Sequence, residues 1–209
     1  MKKLSIYSLL IMFAVLVFTS CEEEETADVS RVTYFPEFSM EGDKYYFTQQ
    51  GSDFQEPGIS ATEGGEEIDV TISGSVDTDT PGAYYLTYSA TNEDGIEAST
   101  ERIVIVTDGA VAGNDLTGTY AGGYYGDATM TVEKVKDGLY EATDVFGYGA
   151  PYPIPATIAD LGNGSLVILK TTSPFGGVGL SEGTYTDTAL EWGLHIHGYS
   201  PFPCTWTKQ

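Results

Sequence analysis

The two histidines of the chain lie two apart, in Glu191-Trp192-Gly193-Leu194-His195-Ile196-His197. On an extended strand, alternate side chains share a face. That places Glu191, Gly193, His195 and His197 on one side and Leu190, Trp192, Leu194 and Ile196 on the core side. Two imidazoles at that spacing can grip one zinc-like ion, and Glu191 could join them, but a further protein ligand must come from elsewhere. The competing reading is a pair of ordinary outward-facing histidines, and no metal or other cofactor is expected. A second constellation is aromatic. Tyr120, Tyr124, Tyr125, Tyr140, Tyr148 and Tyr152 crowd one stretch, several of them beside glycine. Flat rings exposed on glycine-rich loops can stack on sugar rings, and their hydroxyls can hydrogen-bond to sugar hydroxyls. Tyr124, Tyr125, Tyr148 and Tyr152 are the ligand-binding candidates, with Gly147-Tyr148-Gly149-Ala150-Pro151-Tyr152-Pro153 the loop best suited; packing tyrosines are the alternative.

Catalytic motifs are missing. There is no Gly-x-Ser-x-Gly, no Walker loop and no His-Glu-x-x-His. Gly176-Gly177-Val178-Gly179 has no lysine or helix after it to cradle a phosphate. Paired carboxylates could cleave a glycosidic bond only if they faced each other across a cleft. With 31 acidic residues, chance pairs abound. Cys204 sits in a strand-like run and reads as a buried, inert thiol, since a nucleophilic cysteine needs an electropositive setting. The chain is therefore expected not to be an enzyme.

Charge narrows the partners. Nine Lys and Arg stand against 31 Asp and Glu, a net charge of −22. Without Lys2 and Lys3 the balance is 7 against 31, or −24. Phosphate backbones need a basic footprint, so nucleic acid is excluded as a partner. A basic patch for anionic lipid is missing too.

The N-terminus supplies a different route to a membrane. Met1-Lys2-Lys3 is a positive lead, Leu4 to Phe18 is almost wholly apolar, and small residues precede Cys21. The apolar stretch is shorter than the ~20 residues a spanning helix needs. Residues 1–20 read as a secretory signal. Phe18-Thr19-Ser20-Cys21 resembles the lipoprotein box of bacteria, with Phe18 where leucine is usual. That resemblance implies a diacylglycerol on the Cys21 sulfur, and lipid chains there would anchor the protein in a bilayer. If Cys21 is acylated, Cys204 has no disulfide partner. Glu22 to Glu25 repel one another and stay solvated, so residues 21–30 read as an acidic tether. Cysteine followed by an acidic run resembles the export signal of Bacteroidetes surface lipoproteins, which implies an outer-membrane location facing the cell exterior.

Positioning of these groups falls to strands. Runs at 31–35, 44–48, 67–73, 83–90 and 101–106 alternate with turn signals and show no helical period, as in a β-sandwich. Thr80-Pro81-Gly82 makes a tight turn into a strand on which Tyr84, Leu86 and Tyr88 face the core. Asp77 and Asp79 read as a solvated turn and not as a calcium loop. Glu56 to Ala61, Ser75-Val76-Asp77-Thr78-Asp79-Thr80-Pro81-Gly82-Ala83-Tyr84, Leu86 to Gly95 and Arg102 to Val106 together resemble the bacterial immunoglobulin-like domain related to the HYR and pesticidal-crystal-protein repeats. Asn92 and Ile96 stand where aspartate and asparagine are usual. The resemblance covers residues 31–108 and implies a seven-strand sandwich that serves as spacer or adhesion module.

Asp108 to Asn114 is small and glycine-bearing and reads as the domain boundary. Residues 21–109 carry 21 acids against 3 bases, and residues 110–209 carry 10 against 4, which makes the first unit an acidic stalk. From Leu116 strand signals resume at 117–125, 129–135, 140–146, 154–159, 165–171, 183–186, 189–197 and 204–207. Asp137-Gly138 and Asn163-Gly164 are two-residue hairpin turns. Residues 114–209 read as an antiparallel meander closed into a small barrel or a curled sandwich. Leu116-Thr117-Gly118-Thr119-Tyr120 and Glu182-Gly183-Thr184-Tyr185 resemble the C-terminal domains of Bacteroides lipoproteins of unknown function, which implies a carbohydrate-utilisation setting. The whole is expected to be all-β, and to act as a non-catalytic binding module for polysaccharide. The alternative is a structural or adhesion component that binds other surface proteins and takes no small ligand.

Overall fold

A computed structural model describes residues 32–199 and 201–209. The signal segment, Cys21 and the acidic tether lie outside the described residues. All regular elements among the described residues are strands: β1 (Glu37–Met40), β2 (Tyr45–Gln49), β3 (Ile59–Glu63), β4 (Glu66–Ile68), β5 (Thr71–Ser73), β6 (Gly82–Thr91), β7 (Glu97–Thr107), β8 (Gly118–Gly123), β9 (Ala128–Lys136), β10 (Leu139–Ala142), β11 (Ala156–Gly162), β12 (Ser165–Ile168), β13 (Thr171–Ser173), β14 (Gly176–Val178), β15 (Ser181–Tyr185), β16 (Ala189–Leu194) and β17 (Phe202–Lys208). The protein is all-β.

The first seven strands form two facing sheets, β1-β3-β4 and β2-β7-β6-β5. Between them pack Leu86, Tyr88 and Val104, with Phe38, Tyr46, Phe54 and Tyr84 around them. The alternation read along β6 holds, with Tyr84, Leu86 and Tyr88 on the core side. Tyr84 donates its hydroxyl to the Thr80 carbonyl at 2.7 Å, and the Asp77 carboxylate accepts from Asp79 N and Thr80 Oγ1 to shape the turn. Arg102 is fully buried in this core, a cation directly before the apolar run Ile103 to Val106 of β7. Its guanidinium donates to Glu56 Oε1 (3.0 Å) and to the carbonyls of Asp43, Glu41 and Gly58. Those partners make its burial tolerable.

Two sequence-based boundaries fail here for physical reasons. The run 31–35 does not supply the first strand. Pro36 has no N–H to donate and restricts the residue before it, so pairing begins after it at Glu37. The run 67–73 is two strands, because the chain crosses at Asp69-Val70 from one sheet to the other, with β4 pairing β3 and β5 pairing β6.

The remaining strands close into an eight-stranded barrel in the order β10-β11-β12-β15-β16-β17-β8-β9, and the β13-β14 hairpin stands apart from it. The pairings within the barrel are antiparallel. This resolves the barrel-or-sandwich alternative in favour of the barrel. Both hairpin turns form as read: Asp137-Gly138 joins β9 to β10, and Asn163-Gly164, both at positive φ, joins β11 to β12. The interior is filled by Tyr120, Met130, Tyr140, Ile158, Trp192, Trp206 and their neighbours. Tyr120 and Tyr140 are therefore core residues that donate inward, to the carbonyls of Leu116 (2.9 Å) and Asn114 (2.8 Å).

Residues 35–209 form one compact unit. Its seam is a second apolar layer. Ile103 and Ile105 of β7, with Tyr45, Phe47, Ala83 and Tyr85, pack on the outer wall of the barrel at Leu139, Ala159, Leu161, Val167 and Leu169. Polar contacts clamp its margins. Lys136 Nζ donates to Asp43 Oδ2 (2.7 Å) and to the Tyr45 carbonyl (2.8 Å), and Lys170 N donates to the Tyr85 hydroxyl (2.9 Å). Lys170 Nζ lies 4.1 Å from the centre of the Tyr85 ring. The segment between the two halves is strapped down. Asp108 N donates to the Leu161 carbonyl, and Asn114 Nδ2 donates to Asp160 Oδ2 and the Tyr185 hydroxyl. A Cβ on Gly162 would come within 2.7 Å of Gly109, so this crossing admits only glycine.

Two predictions follow from the seam. Leu161→Ala should cost about 2–4 kcal/mol, the usual range for emptying a buried leucine site. Calorimetry should show a single transition, shifted down, and a second transition assignable to a barrel melting independently would contradict the shared layer. The second concerns pH. Burial pushes the hydroxyls of Tyr85 and Tyr120 up to about 12. An unfolded tyrosine ionises near 10. The unfolded chain therefore loses these protons first, and their contribution is whole below pH ~10 and gone as pH rises through ~12. The urea midpoint should fall steadily across that window; a flat midpoint there would contradict it.

Candidate aromatic binding surface

The loops at one end of the barrel are built around a buried carboxylate. Asp144 accepts hydrogen bonds from the backbone N–H groups of Phe146 (3.2 Å), Gly147 (3.0 Å), Gly149 (2.7 Å) and Ile154 (3.2 Å). It is nearly inaccessible to solvent, and those four donors replace the water it gives up. They also fold the chain away from the ladder, which is why β10 ends at Ala142 and not at the expected Phe146. The loop closes through Val145 N to the Ile154 carbonyl and Tyr152 N to the Gly149 carbonyl. Trp192 Nε1 supports it from inside, donating to the Val145 carbonyl at 2.8 Å.

A second loop meets the first across paired glycines. β8 ends at Gly123, short of the expected Tyr125. A Cβ on Gly123 would stand 2.7 Å from the Gly147 Cα, and one on Gly147 would stand 2.8 Å from the Gly123 Cα. Both residues have positive φ. The close approach lets Tyr124 N donate to the Phe146 carbonyl at 2.8 Å, so the two loops share a backbone bond.

The rings that this framework carries touch in sequence. Phe146, buried, lies at the centre, with Tyr148 stacked on it at 4.4 Å and Tyr124 at 5.1 Å. Tyr125 lies 5.1 Å from Tyr124 and 5.6 Å from Tyr148. Phe175, on the β13-β14 turn, lies 4.7 Å from Tyr148 and 6.0 Å from Tyr152. Phe202 closes the other flank against Tyr124 and Phe146. Exposure sorts them by role: Tyr125 at 59%, Tyr152 at 52%, Phe175 at 45% and Tyr124 at 41% present faces to solvent, and Tyr148 is half-buried. Burial among these rings, with Tyr125 beside it, raises the Tyr148 hydroxyl above the ordinary tyrosine range. It stays a neutral donor and acceptor at physiological pH.

All four candidate tyrosines thus lie on one surface. Phe146, Phe175 and Phe202 were not singled out from the sequence. The only local signal was Ser173-Pro174-Phe175-Gly176, an aromatic placed in turn chemistry.

The other candidates are placed differently. β16 stops at Leu194, and His197 adopts a left-handed backbone with φ 49. The expected alternation holds for Leu190, Trp192, Leu194 and Ile196, which are buried, but the strand that would align His195 with His197 ends before either. The Ile196 backbone instead bridges to Val178 of the neighbouring hairpin, and His197 packs on Gly176, where a Cβ would lie 2.7 Å from Nδ1. Glu191 faces outward in mid-strand opposite Thr184 and Thr205. Among the described residues no three His, Cys, Asp or Glu side chains come together as a metal-binding group. Cys204 is buried under the aromatic surface, its thiol 3.7 Å from the Phe146 carbonyl, and burial pushes its pKa up to about 12. A thiol so held stays protonated and unreactive.

Residues 38–106 match the family model described as bacterial surface protein, Ig-like domain. The match supports the immunoglobulin-like reading of the first sandwich and points to a location at the cell surface or in the envelope. No curated protein matches the chain. Among solved structures, the crystal structure of the lipoprotein BT2262 from Bacteroides thetaiotaomicron is similar at 24% identity with a TM-score of 0.40, over 83% of this chain and 100% of that one.

Asp144→Ala should strip four backbone donors of their acceptor. The expected result is a loss of about 3 kcal/mol, at the upper end for an unsatisfied buried group, together with faster amide exchange at Gly149. Unchanged exchange there would mean that the carboxylate does not hold the loop.

Proposed function

We propose that the chain is a lipid-anchored receptor module of the bacterial surface that captures carbohydrate on the aromatic end of its barrel and does no chemistry on it. The observation that carries this reading is the contiguous surface of Tyr124, Tyr125, Tyr148, Phe175 and Tyr152. Pyranose rings have apolar C–H faces that stack on aromatic rings, and the tyrosine hydroxyls serve the sugar hydroxyls. The surface is open, which suits a polymer more than a small enclosed ligand. The Cys204 thiol beneath it is buried and protonated, so it offers no nucleophile to the surface.

The family match over residues 38–106 supports surface placement. The signal-like residues 1–20 and the lipid attachment at Cys21 extend it to a bilayer anchor, in the outer membrane and facing outward by the acidic run that follows. Mass spectrometry of the membrane fraction should find Cys21 at the mature N-terminus carrying diacylglycerol, and an unmodified cysteine would remove the anchor. Binding is tested on the soluble chain from residue 27 onward by polysaccharide pull-down. Tyr125→Ala and Tyr152→Ala should each weaken retention by roughly tenfold, or ~1.4 kcal/mol, with little change in melting temperature because both rings are exposed. Retention equal to that of the parent chain in both variants would exclude this surface as the glycan site.

A further inference from the structure

A groove of about 440 Å3 lies on the outer wall of the barrel, lined by Glu133, Glu141, Thr143, Pro155, Thr157, Lys170 and Thr171, with Ala142 and Ala156 in its floor. Glu133 and Glu141 stand directly opposite each other on β9 and β10, and Glu141 is in turn opposite Thr157 of β11. Like charges set face to face across a ladder are unfavourable, and neither carboxylate has a hydrogen-bond or ion-pair partner among the described residues. Lys170, held over Tyr85, supplies the one cation of the groove.

The groove and the aromatic surface belong to the same two segments. Residues 143–155 begin and end in the groove, at Thr143 and Pro155, and carry Phe146, Tyr148 and Tyr152 at their tip. The β13-β14 hairpin starts in the groove at Thr171 and carries Phe175 at its tip. The two segments touch at the base, where Thr171 Oγ1 donates to the Pro155 carbonyl at 3.2 Å, and at the tip, where Phe175 meets Tyr148 and Tyr152. Two residues separate Tyr152 from Pro155, a span of at most ~11 Å.

We infer that a bound glycan continues from the aromatic rings into this groove, so that the site takes several consecutive sugar units of an uncharged polysaccharide and rejects polymers of uronic acids. The inference rests on the reading of the aromatic surface as a glycan site. Its own basis is the chemistry of the groove. Two carboxylates without donors, with Thr143, Thr157 and Thr171 beside them, accept hydrogen bonds from a ligand rich in hydroxyls. The same pair repels a carboxylate on the ligand.

The test uses the full chain in detergent, with disaccharides and longer oligosaccharides of uncharged glucans and mannans, and with polygalacturonate, measured by calorimetric titration. Glu141→Ala should weaken binding of the longer uncharged oligosaccharides by about tenfold and leave disaccharide binding unchanged. Glu133→Gln combined with Glu141→Gln should admit polygalacturonate, which the parent chain refuses. Both positions are exposed on strand surfaces, and unchanged melting temperatures will verify folding. Loss of binding in Tyr125→Ala with no effect of Glu141→Ala at any length overturns the groove alone. Polygalacturonate bound by the parent chain as tightly as a neutral glycan overturns it as well. A parent chain that binds no uncharged glycan overturns both the groove and the aromatic surface.

Discussion

The burial of the second half of β7, Arg102 to Thr107, on both faces is the constraint on which the rest of the structure depends. Arg102, Val104 and Val106 point into the immunoglobulin-like sandwich, while Ile103 and Ile105 point into the layer against the barrel. A strand covered on one side only would tolerate polar residues at every second position. This one cannot, and four consecutive β-branched apolar residues result. Fully burying side chains of this size is worth ~1.5–3 kcal/mol each, and the layer adds Leu139, Leu161, Val167 and Leu169 from the barrel wall. Sandwich and barrel consequently behave as one body. The acidic first unit and the barrel are bonded to each other along a shared flank.

That rigidity bears on the aromatic surface. A binding face gains affinity when its groups are ordered before the ligand arrives. Here the order comes from inside: Asp144 gathers four backbone donors, Trp192 braces the same loop, and Gly123 and Gly147 allow the neighbouring loop to close within bonding distance. Phe146 then serves as a buried base on which the exposed rings rest. The ligand would meet rings already in contact with one another, without having to organise loose side chains.

Much of this was legible in the sequence, and the failures have specific physical causes. Alternation along 83–90 gave the core face of β6, and Asn163-Gly164 gave a hairpin, because both depend on local chemistry. The loop placement of the four tyrosines was legible because glycine neighbours, and prolines on either side of Tyr152, mark loops. Phe146, Phe175 and Phe202 were not, since nothing local tells which loops meet at a barrel end. The strand at 67–73 read as one because its alternation is unbroken through the crossing between sheets. The segment 108–114 read as the domain boundary from its small residues and glycine, which signal freedom as readily as close approach; the contact of Gly109 with Gly162 had no local signal. The seam itself had a signal in Ile103 to Val106, a run too apolar for a half-exposed strand.

The central claim is that sugar rings stack on the exposed tyrosines of the barrel end. Saturation-transfer NMR addresses it most directly, by irradiating the aromatic protons of the protein in the presence of an uncharged oligosaccharide. The account predicts transfer concentrated on the ring C–H protons of the sugar, and its loss when Tyr125 and Tyr152 are deuterated. Transfer that survives this deuteration in full would place the contact elsewhere and contradict the account.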